Sequence, residues 1–341
     1  MERIANDLAH APVAVLGAGS WGTALAIQFA RAGHPTRLWS RNGADAAAMR
    51  AQRENARYLP DAKFPDAIEV HDDLAGAVRG AVAIIVAVPS HGLRALLTQL
   101  KPLLARDARL AWATKGFELE SGKLPHQVAY DVLGDRYPVA VLSGPTFARE
   151  VGMGLPTAMT IASPDADFAN QLATSLHAKN FRAYTSTDIV GVEVGGAVKN
   201  VLAVGAGLSD GLGFGANTRI ALITRGLSEV VRLGVALGAQ AETFMGLAGL
   251  GDLVLTSTDN QSRNRRFGLA LAAGQSVRDA LAGIGQVVEG FAAARAVHDV
   301  ARREGVDMPI VTGIYRILYE NQPAKDVVRD LMTRPIRAEV E

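Results

Sequence analysis

The 341-residue sequence contains no cysteine, which excludes disulfide bonds, thiolate metal sites and a cysteine nucleophile. Positive and negative charges nearly balance, with a net charge of +1 at pH 7. The electrostatic field of the whole protein therefore favours neither nucleic acid nor an anionic membrane as a partner. The longest strand-like apolar run, residues 81–88, is too short to span a bilayer. Residues 1–10 carry Glu2 and Asp7 and have no long apolar core, unlike a signal peptide. We therefore expect a soluble, cytoplasmic protein.

Motifs of two common enzyme classes are also missing. The sequence has no H-E-x-x-H, no cluster of histidines and no G-x-S-x-G. We therefore predict neither a metal site nor a serine nucleophile.

The length and the pattern of the chain indicate two domains of different class. Hydrophobic residues make up 49% of the chain, enough for two cores. The first half alternates short β-branched runs with helical stretches, which predicts α/β architecture with right-handed βαβ units in a doubly wound sheet. The second half has long helical patterns and almost no strand signal. We predict an N-terminal Rossmann domain over residues 1–188 and a C-terminal all-helical domain over residues 189–341, with the substrate in the cleft between them.

The predicted strands are residues 13–16, 36–40, 81–88, 109–114, 138–143 and 158–162. The predicted helices of the second half are residues 191–208, 219–237, 263–273, 290–304 and 313–319.

A glycine fingerprint, Gly17-Ala18-Gly19-Ser20-Trp21-Gly22, lies between the first predicted strand and a helical stretch over residues 23–31. In that context Gly17 allows a tight turn, Gly19 lets a phosphate approach the backbone, and Gly22 lets the helix pack close to the strand. The free N–H groups of the helix would face the pyrophosphate of a dinucleotide. The alternative is a glycine-rich turn without a ligand, since the chain contains 35 glycines.

The end of the second predicted strand bears on the type of dinucleotide. NAD-specific folds place an acidic residue there to bind the ribose 2′-hydroxyl, but this chain has Ser40 and Arg41. A cation suits a 2′-phosphate, so we expect NADP(H) to be preferred and NAD(H) to remain usable. The alternative is that Arg41 belongs to a solvated loop.

Lys199 is the one long polar side chain on a stripe of very small residues in the first long helix of the second half. Gly191, Gly195 and Gly196 share its face, and each glycine costs roughly 1 kcal/mol of helix stability relative to alanine. Something must therefore lie close to this face. One alternative is another helix, with Lys199 extending to water. The other is a ligand, with Lys199 as its proton donor, because apolar surroundings lower the pKa of a lysine.

Further candidates lie where predicted strands end. Lys115 follows one strand, at the edge where parallel strands face a ligand crevice. After the next strand, Gly144 permits close backbone approach and Thr146 offers a hydroxyl at a helix start.

The second half adds an acid and a basic cluster. Asp252 lies in a glycine-flanked turn, and the run over residues 259–266 contains three arginines with Ser and Asn, which suits a phosphate. The alternatives are a nucleic-acid patch, which a short, aromatic-poor cluster in a neutral protein does not favour, and a solvated helix face for Arg265 and Arg266. Glu289 precedes a helix, where an acidic side chain can simply interact favourably with the positive end of the helix dipole.

Taken together, these motifs resemble the bacterial NAD(P)-dependent sn-glycerol-3-phosphate dehydrogenases. The matching stretches follow one another over nearly the whole chain, at residues 17–22, 112–116, 143–150, 195–200, 209–217, 249–253, 260–267 and 285–290.

The resemblance implies a role for each candidate residue. The implied cofactor contacts are Ser20, Trp21, Arg41, Lys115, Ala148, Arg263, Val287 and Glu289, beside the fingerprint glycines. The implied substrate contacts are Lys115, Gly144, Thr146, Lys199, Asp252, Ser262, Arg263 and Asn264, with Lys199 as the general acid and base. The resemblance further implies a cytoplasmic homodimer that interconverts dihydroxyacetone phosphate and sn-glycerol 3-phosphate and supplies the latter to phospholipid synthesis.

Two other functions fit part of the pattern. A 3-hydroxyacid or sugar-acid dehydrogenase would share the Rossmann-plus-helices plan, but the cluster around Arg263 favours a phosphate. A non-catalytic nucleotide sensor would need the glycine fingerprint without the lysine on the glycine stripe.

Overall fold

The structure is a computed structural model that describes residues 11–335. The prediction for residues 1–10 lies outside that range. The strands are β1 (Val13–Leu16), β2 (Thr36–Trp39), β3 (Glu54–Asn55), β4 (Leu59–Lys63), β5 (Ile68–His71), β6 (Ala83–Val86), β7 (Leu110–Trp112), β8 (Val139–Ser143), β9 (Thr157–Ala162) and β10 (Phe181–Ser186).

The α-helices are α1 (Ser20–Arg31), α2 (Gly43–Gln52), α3 (Leu74–Val78), α4 (Ser90–Leu100), α5 (Pro125–Leu133), α6 (Ala148–Met153), α7 (Ala166–Leu176), α8 (Ile189–Gly211), α9 (Ala216–Ala236), α10 (Asp252–Thr258), α11 (Arg263–Ala272), α12 (Val277–Ile284), α13 (Glu289–Arg303), α14 (Pro309–Tyr319) and α15 (Ala324–Met332). Short 3₁₀ turns span Lys101–Leu103 and Ala241–Met245, and a π-helical turn spans Leu247–Gly251.

An eight-stranded sheet forms the first half, in the order β10-β9-β8-β7-β6-β1-β2-β5. Helices cover both faces, and all residues of the central strands β1 and β6 are buried, as expected for a parallel sheet. This confirms the predicted doubly wound Rossmann sheet followed by a helical region. One departure is that β9 runs antiparallel to β8, while β9 and β10 pair in parallel.

The elements that the sequence pattern did not reveal are short or lie at edges. Strands β5 and β10 are the two outer strands of the sheet. In β10 only Phe181 is buried and three of the six residues are exposed, so its pattern is weak. The two-stranded hairpin of β3 and β4 is separate from the sheet. In the second half, the short helices α10, α12 and α15 were also not predicted.

Helix α8 begins immediately after Asp188 and runs through the centre of the second half. The Asp188 carboxylate accepts hydrogen bonds from the backbone N–H of Gly191 (2.9 Å) and of Gln240 (2.9 Å), so it caps α8 and ties a loop to it. Ile189 and Val192 pack in the core beneath the sheet. The division of the chain at residue 188 stays a prediction.

Helix α8 is the one helix in the described range that is long and apolar enough to cross a membrane. Of the apolar window that meets this criterion, 94% is buried inside the protein, so α8 is the core helix of the second half.

The small residues of α8 lie against other parts of the protein. A Cβ atom added at Gly195 would lie 2.7 Å from the carbonyl oxygen of Ala248, and one at Gly207 would lie 2.0 Å from that of Arg265. The contact with α11 is mutual, because a Cβ at Gly268 would lie 2.2 Å from the carbonyl oxygen of Val204. At these positions the stripe therefore accommodates protein backbone and not a ligand.

We predict that Gly207→Ala destabilises the protein by about 1–3 kcal/mol or more, because backbone on α11 would have to move away from the new methyl group. The measurement is the free energy of unfolding in urea. Gly283→Ala in α12 is the matched control: its added Cβ would meet no atom within 4 Å, so the better helix propensity of alanine should leave stability unchanged or slightly higher. Equal effects of the two substitutions would contradict the packing argument.

Candidate active site

A cleft of about 980 Å³ is lined by residues of both halves of the chain. Most of the predicted site residues line it, namely Gly17, Gly19, Ser20, Trp21, Arg41, Lys115, Thr146, Ala148, Lys199, Ser262, Arg263, Asn264, Val287 and Glu289. The structure thus brings together residues that are more than 250 positions apart in the sequence.

Three predicted residues do not line the cleft. Gly22 packs against the fingerprint turn, since an added Cβ would lie 1.9 Å from the carbonyl oxygen of Gly17. Gly144 has a positive φ of 149°, and the atom nearest to an added Cβ is the Cα of Met159 on β9, at 3.0 Å. Asp252 is 1% exposed and lies beneath the lysines. Gly22 and Gly144 therefore shape the backbone of the site from outside the cleft.

The fingerprint turn has the geometry that a pyrophosphate requires. Gly17 has a φ of 116°, and an added Cβ would lie 2.6 Å from the carbonyl oxygen of Ala87. An added Cβ at Gly19 would meet no atom within 4 Å, so the backbone there is open to the cleft. Helix α1 begins at Ser20 without a side-chain cap, which leaves its first N–H groups free for an anion. The residues present therefore fit a dinucleotide.

Arg41 is exposed in the cleft at the end of β2. Within residues 11–335 its guanidinium makes no hydrogen bond or ion pair, so its donors are available to a ligand. The neighbouring Asn42 caps α2 by accepting from the N–H of Ala44 at 2.9 Å. Arg41 therefore lies next to the capped N-terminus of α2.

At the other end of the cleft, two lysines share one buried carboxylate. Lys199 Nζ donates to Oδ1 of Asp252 at 2.5 Å, and Lys115 Nζ donates to Oδ2 at 2.7 Å. Lys199 Nζ also donates to the hydroxyl of Thr256 at 2.9 Å. Two of the three ammonium donors of Lys199 are thus used, and the third has no partner among the described residues.

Burial and the neighbouring charges together set the pKa values of Lys199 and Asp252. Burial lowers the pKa of Lys199 to about 8; the positive charge of Lys115 acts in the same direction, and Asp252 only partly offsets them. Burial would raise the pKa of Asp252, but the charges and hydrogen bonds of the two lysines outweigh it and lower that pKa. Near neutral pH, Lys199 is therefore a mostly charged ammonium that can release a proton readily, which suits a general acid and base.

Each of the two alternatives for the small-residue face of α8 is correct in part. The small residues around it accommodate protein, as the first alternative held, but Lys199 does not extend to water. It is 8% exposed, and it lines the cleft, as the second alternative required.

Two polar residues near the lysines were not assigned a role from the sequence. Thr256 lies four residues after Asp252, on the same face of α10, and this helical spacing was the available signal. Asn200 donates to Glu289 Oε2 and accepts from Asn264 Nδ2, both at 2.9 Å. It therefore orients two of the predicted site residues from inside α8.

The arginine cluster contributes one arginine to the cleft. Arg263 lines the cleft, and its Nη1 donates to Gln286 Oε1 at 3.2 Å. Arg265 is buried, and its Nη2 donates to Asp210 Oδ2 at 2.5 Å, so neither the phosphate role nor the solvated-face alternative holds for it. Arg266 is exposed outside the cleft. Within residues 11–335, no group of three or more His, Asp or Glu side chains is placed to hold a metal ion.

Comparison with known proteins identifies the family. Residues 12–169 match the model of the NAD-dependent glycerol-3-phosphate dehydrogenase N-terminus, and residues 188–329 match that of the C-terminus. The chain belongs to the NAD-dependent glycerol-3-phosphate dehydrogenase family. A glycerol-3-phosphate dehydrogenase [NAD(P)+] from Pseudoalteromonas translucida is 56% identical over 332 residues, covering 97% of this chain and 99% of that protein.

Comparison with solved structures supports membership of the same family. The crystal structure of glycerol-3-phosphate dehydrogenase from Coxiella burnetii is 46% identical, with a TM-score of 0.92 over 95% of this chain and 99% of that chain. A ketopantoate reductase from Ralstonia eutropha is 18% identical, with a TM-score of 0.56 over 94% of this chain and 99% of that chain, and shares the fold alone.

We predict that Asp252→Asn lowers the pKa of Lys199 below its value of about 8, because the substitution removes the charge that favours the ammonium form. The measurement is the pH dependence of Lys199 modification by an amine-selective reagent, read by peptide mass spectrometry. Since only the neutral amine reacts, the midpoint should move to lower pH.

The control is Asp131→Asn, which removes a carboxylate that contacts Arg94 and Lys123 and does not line the cleft. It should leave the Lys199 midpoint unchanged. An unchanged midpoint in Asp252→Asn would mean that Asp252 does not set the charge of Lys199.

Proposed function

We propose that this chain interconverts dihydroxyacetone phosphate and sn-glycerol 3-phosphate with a nicotinamide dinucleotide. The observation that carries the proposal is Lys199, whose buried ammonium lines the same cleft as the glycine fingerprint. Membership of the NAD-dependent glycerol-3-phosphate dehydrogenase family supports the same reaction.

The dinucleotide would be held by residues at the Rossmann side of the cleft. Gly17, Gly19 and Ser20 offer backbone to the pyrophosphate. Arg41 offers a 2′-phosphate a guanidinium that no residue of the described range pairs. The remaining contacts that we propose are Trp21, Lys115, Ala148, Arg263, Val287 and Glu289, while Gly22 would support the fingerprint turn from outside the cleft. When bound, the nicotinamide supplies or accepts the hydride at C2 of the substrate. NADP(H) is proposed as the preferred form.

Lys199 would hold and move the proton at the C2 oxygen. Its third N–H, which has no partner within residues 11–335, would donate to that oxygen as negative charge develops. Lys115, on the other oxygen of Asp252, adds a second positive charge to polarise the ketone. Asp252 fixes both ammonium groups and thereby orients them before the reaction begins.

The substrate phosphate would be held at the beginning of α11. Ser262 caps this helix by accepting from the N–H of Arg265, and Arg263 and Asn264 are its first residues in the cleft. Thr146 would approach from the end of β8, where Gly144 shapes the backbone from outside the cleft. Binding energy from the non-reacting phosphate serves to position the carbonyl group.

The other candidate functions lack an observation of this strength. A 3-hydroxyacid or sugar-acid dehydrogenase would not need Arg263 at a helix start, and a nucleotide sensor would not need two lysines on one buried carboxylate. We also propose that the enzyme acts as a cytoplasmic homodimer and supplies glycerol 3-phosphate for phospholipid synthesis. Its Rossmann and helical domains would meet at residue 188.

We predict that Lys199→Met lowers kcat for reduction of dihydroxyacetone phosphate by about 10²–10⁴-fold, because the proton donor is lost. The assay follows NADPH absorbance with and without the substrate. In the wild type, kcat/KM for reduction should fall as pH rises through about 8, where Lys199 loses its proton, and this limb should be absent in the variant. NADPH binding, measured by fluorescence, should not change. A normal rate in Lys199→Met would reject the acid assignment.

We predict that Arg41→Ser raises KM for NADPH about ten- to a hundredfold, since a hydrogen bond to a charged group contributes about 1.5–3 kcal/mol. KM for NADH should stay the same, because NADH has no 2′-phosphate. The matched control is Arg266→Ser, because Arg266 is also exposed but does not line the cleft. Equal losses with both dinucleotides would show that Arg41 does not discriminate between them.

A further inference from the structure

Glu193 is a buried carboxyl on α8 that the chemistry proposed above does not use. Its side chain is 0% exposed, and both of its oxygens are hydrogen-bonded. Trp112 Nε1 donates to its Oε1 at 2.7 Å, and the backbone N–H of His126 donates to the same atom at 3.0 Å. Nδ1 of His126 lies 2.5 Å from Oε2. One side chain of α8 is thereby bonded both to the end of β7 and to the first turn of α5.

These contacts lie close in the chain to both lysines of the site. Trp112 is three residues before Lys115, and Glu193 is six residues before Lys199 on the same helix, a rise of about 9 Å. Between them, an added Cβ at Gly196 would lie 3.5 Å from Cγ of Lys115. Helix α8 and the segment that begins at β7 therefore meet at Glu193, at Gly196 and again where the two lysines share Asp252.

Stability alone does not require a carboxyl at this position. Replacing a buried ionic or polar group by apolar residues of similar volume is often neutral or stabilising, whereas directional hydrogen bonds specify one arrangement. Here the fixed arrangement is that of α8 relative to β7, since the indole of Trp112 is 0% exposed and cannot turn to another partner without disturbing the core. Small displacements of reacting groups are costly, because about 1 Å can change a rate by about 10²-fold.

We propose that Glu193 is a positioning residue: by bonding Trp112 and His126 it sets α8 against β7 and so holds the amines of Lys199 and Lys115 on opposite oxygens of Asp252. The inference rests on the proposed function, in which both lysines act on the same substrate oxygen.

The test compares Glu193→Met, Glu193→Gln and Trp112→Phe. Methionine has a similar volume but accepts no strong hydrogen bond. Glutamine keeps an oxygen for Trp112 and the His126 N–H, and its amide can donate to a neutral His126 ring. Phenylalanine at position 112 removes the indole donor and leaves Glu193 in place.

The matched control is Glu229→Met. Glu229 is also a buried glutamate, 1% exposed, and it accepts from the N–H groups of Ile310 (2.7 Å) and Val311 (3.1 Å) at the beginning of α14. None of these three residues lines the cleft. This substitution therefore removes a comparable buried carboxyl whose hydrogen bonds join α9 to α14.

Each variant is measured for Tm, for kcat and KM in the NADPH assay, and for the pH midpoint of Lys199 modification by an amine-selective reagent. We expect Glu193→Met and Trp112→Phe to lower kcat by about ten- to a hundredfold and to shift the Lys199 midpoint. Glu193→Gln should leave both kcat and the Lys199 midpoint close to their wild-type values. Glu229→Met should lower Tm but leave kcat and the midpoint as in the wild type.

A lower Tm in Glu193→Met with unchanged kcat and unchanged midpoint would overturn the proposal and leave Glu193 a purely structural role. If Glu193→Met does not fold, Trp112→Phe decides on the same two readouts. If the wild type itself shows no oxidation of NADPH that depends on dihydroxyacetone phosphate, the proposed function fails. The Lys199 midpoint still tests the positioning role in that case, because it needs no turnover.

Discussion

The site depends on one buried carboxylate that binds two ammonium groups. Asp252 has no access to water, and its charge is favourable there only because Lys115 and Lys199 each donate to one of its oxygens. The lysines come from the end of the sheet and from the core helix, so this contact joins the two halves of the chain. The same contact keeps most of Lys199 protonated at neutral pH although burial opposes it.

The close approach of the helices makes that contact possible. Helix α8 has glycines where backbone from the π-helical turn and from α11 comes within the space of a methyl group. The π-helical turn leads directly into α10, which presents Asp252 and Thr256 towards Lys199. The glycines that weaken α8 as an isolated helix therefore permit the packing that places the acid and the hydroxyl beside the lysine.

The sequence predicted the strong, periodic elements and missed the weak ones. Buried strands such as β1 and β6 are continuous apolar runs, and long helices such as α8 and α9 have a clear apolar pattern, so both were predicted. Strand β10 is an outer strand in which one residue of six is buried, and its pattern does not differ from that of a loop. The antiparallel direction of β9 has no local signal at all, because direction depends on how the chain returns to the sheet.

The site residues were predicted to a similar extent. Motif spacing indicated the glycine turn, Arg41, both lysines and Asp252. It did not separate Arg263 from Arg265, and only the family resemblance singled out Arg263. Both arginines belong to one basic run, and only the packing of α11 buries Arg265 against Asp210 and leaves Arg263 in the cleft. Glu193 could be read in the sequence, but its partners Trp112 and His126 are 81 and 67 positions away, beyond the reach of any local pattern.

The sequence by itself thus determined the kind of chemistry: a phosphate-binding turn at a helix start, a lysine among small residues, and a cation where a dinucleotide-binding acid is usual. These depend on the conformational freedom of glycine and on residue spacing, which are local properties. Only the tertiary structure decided which charged groups meet, which of them lose contact with water, and therefore at what pH Lys199 gives up its proton. Burial and the field of distant charges are properties of the folded chain, because they arise from residues that the sequence separates and the packing brings together.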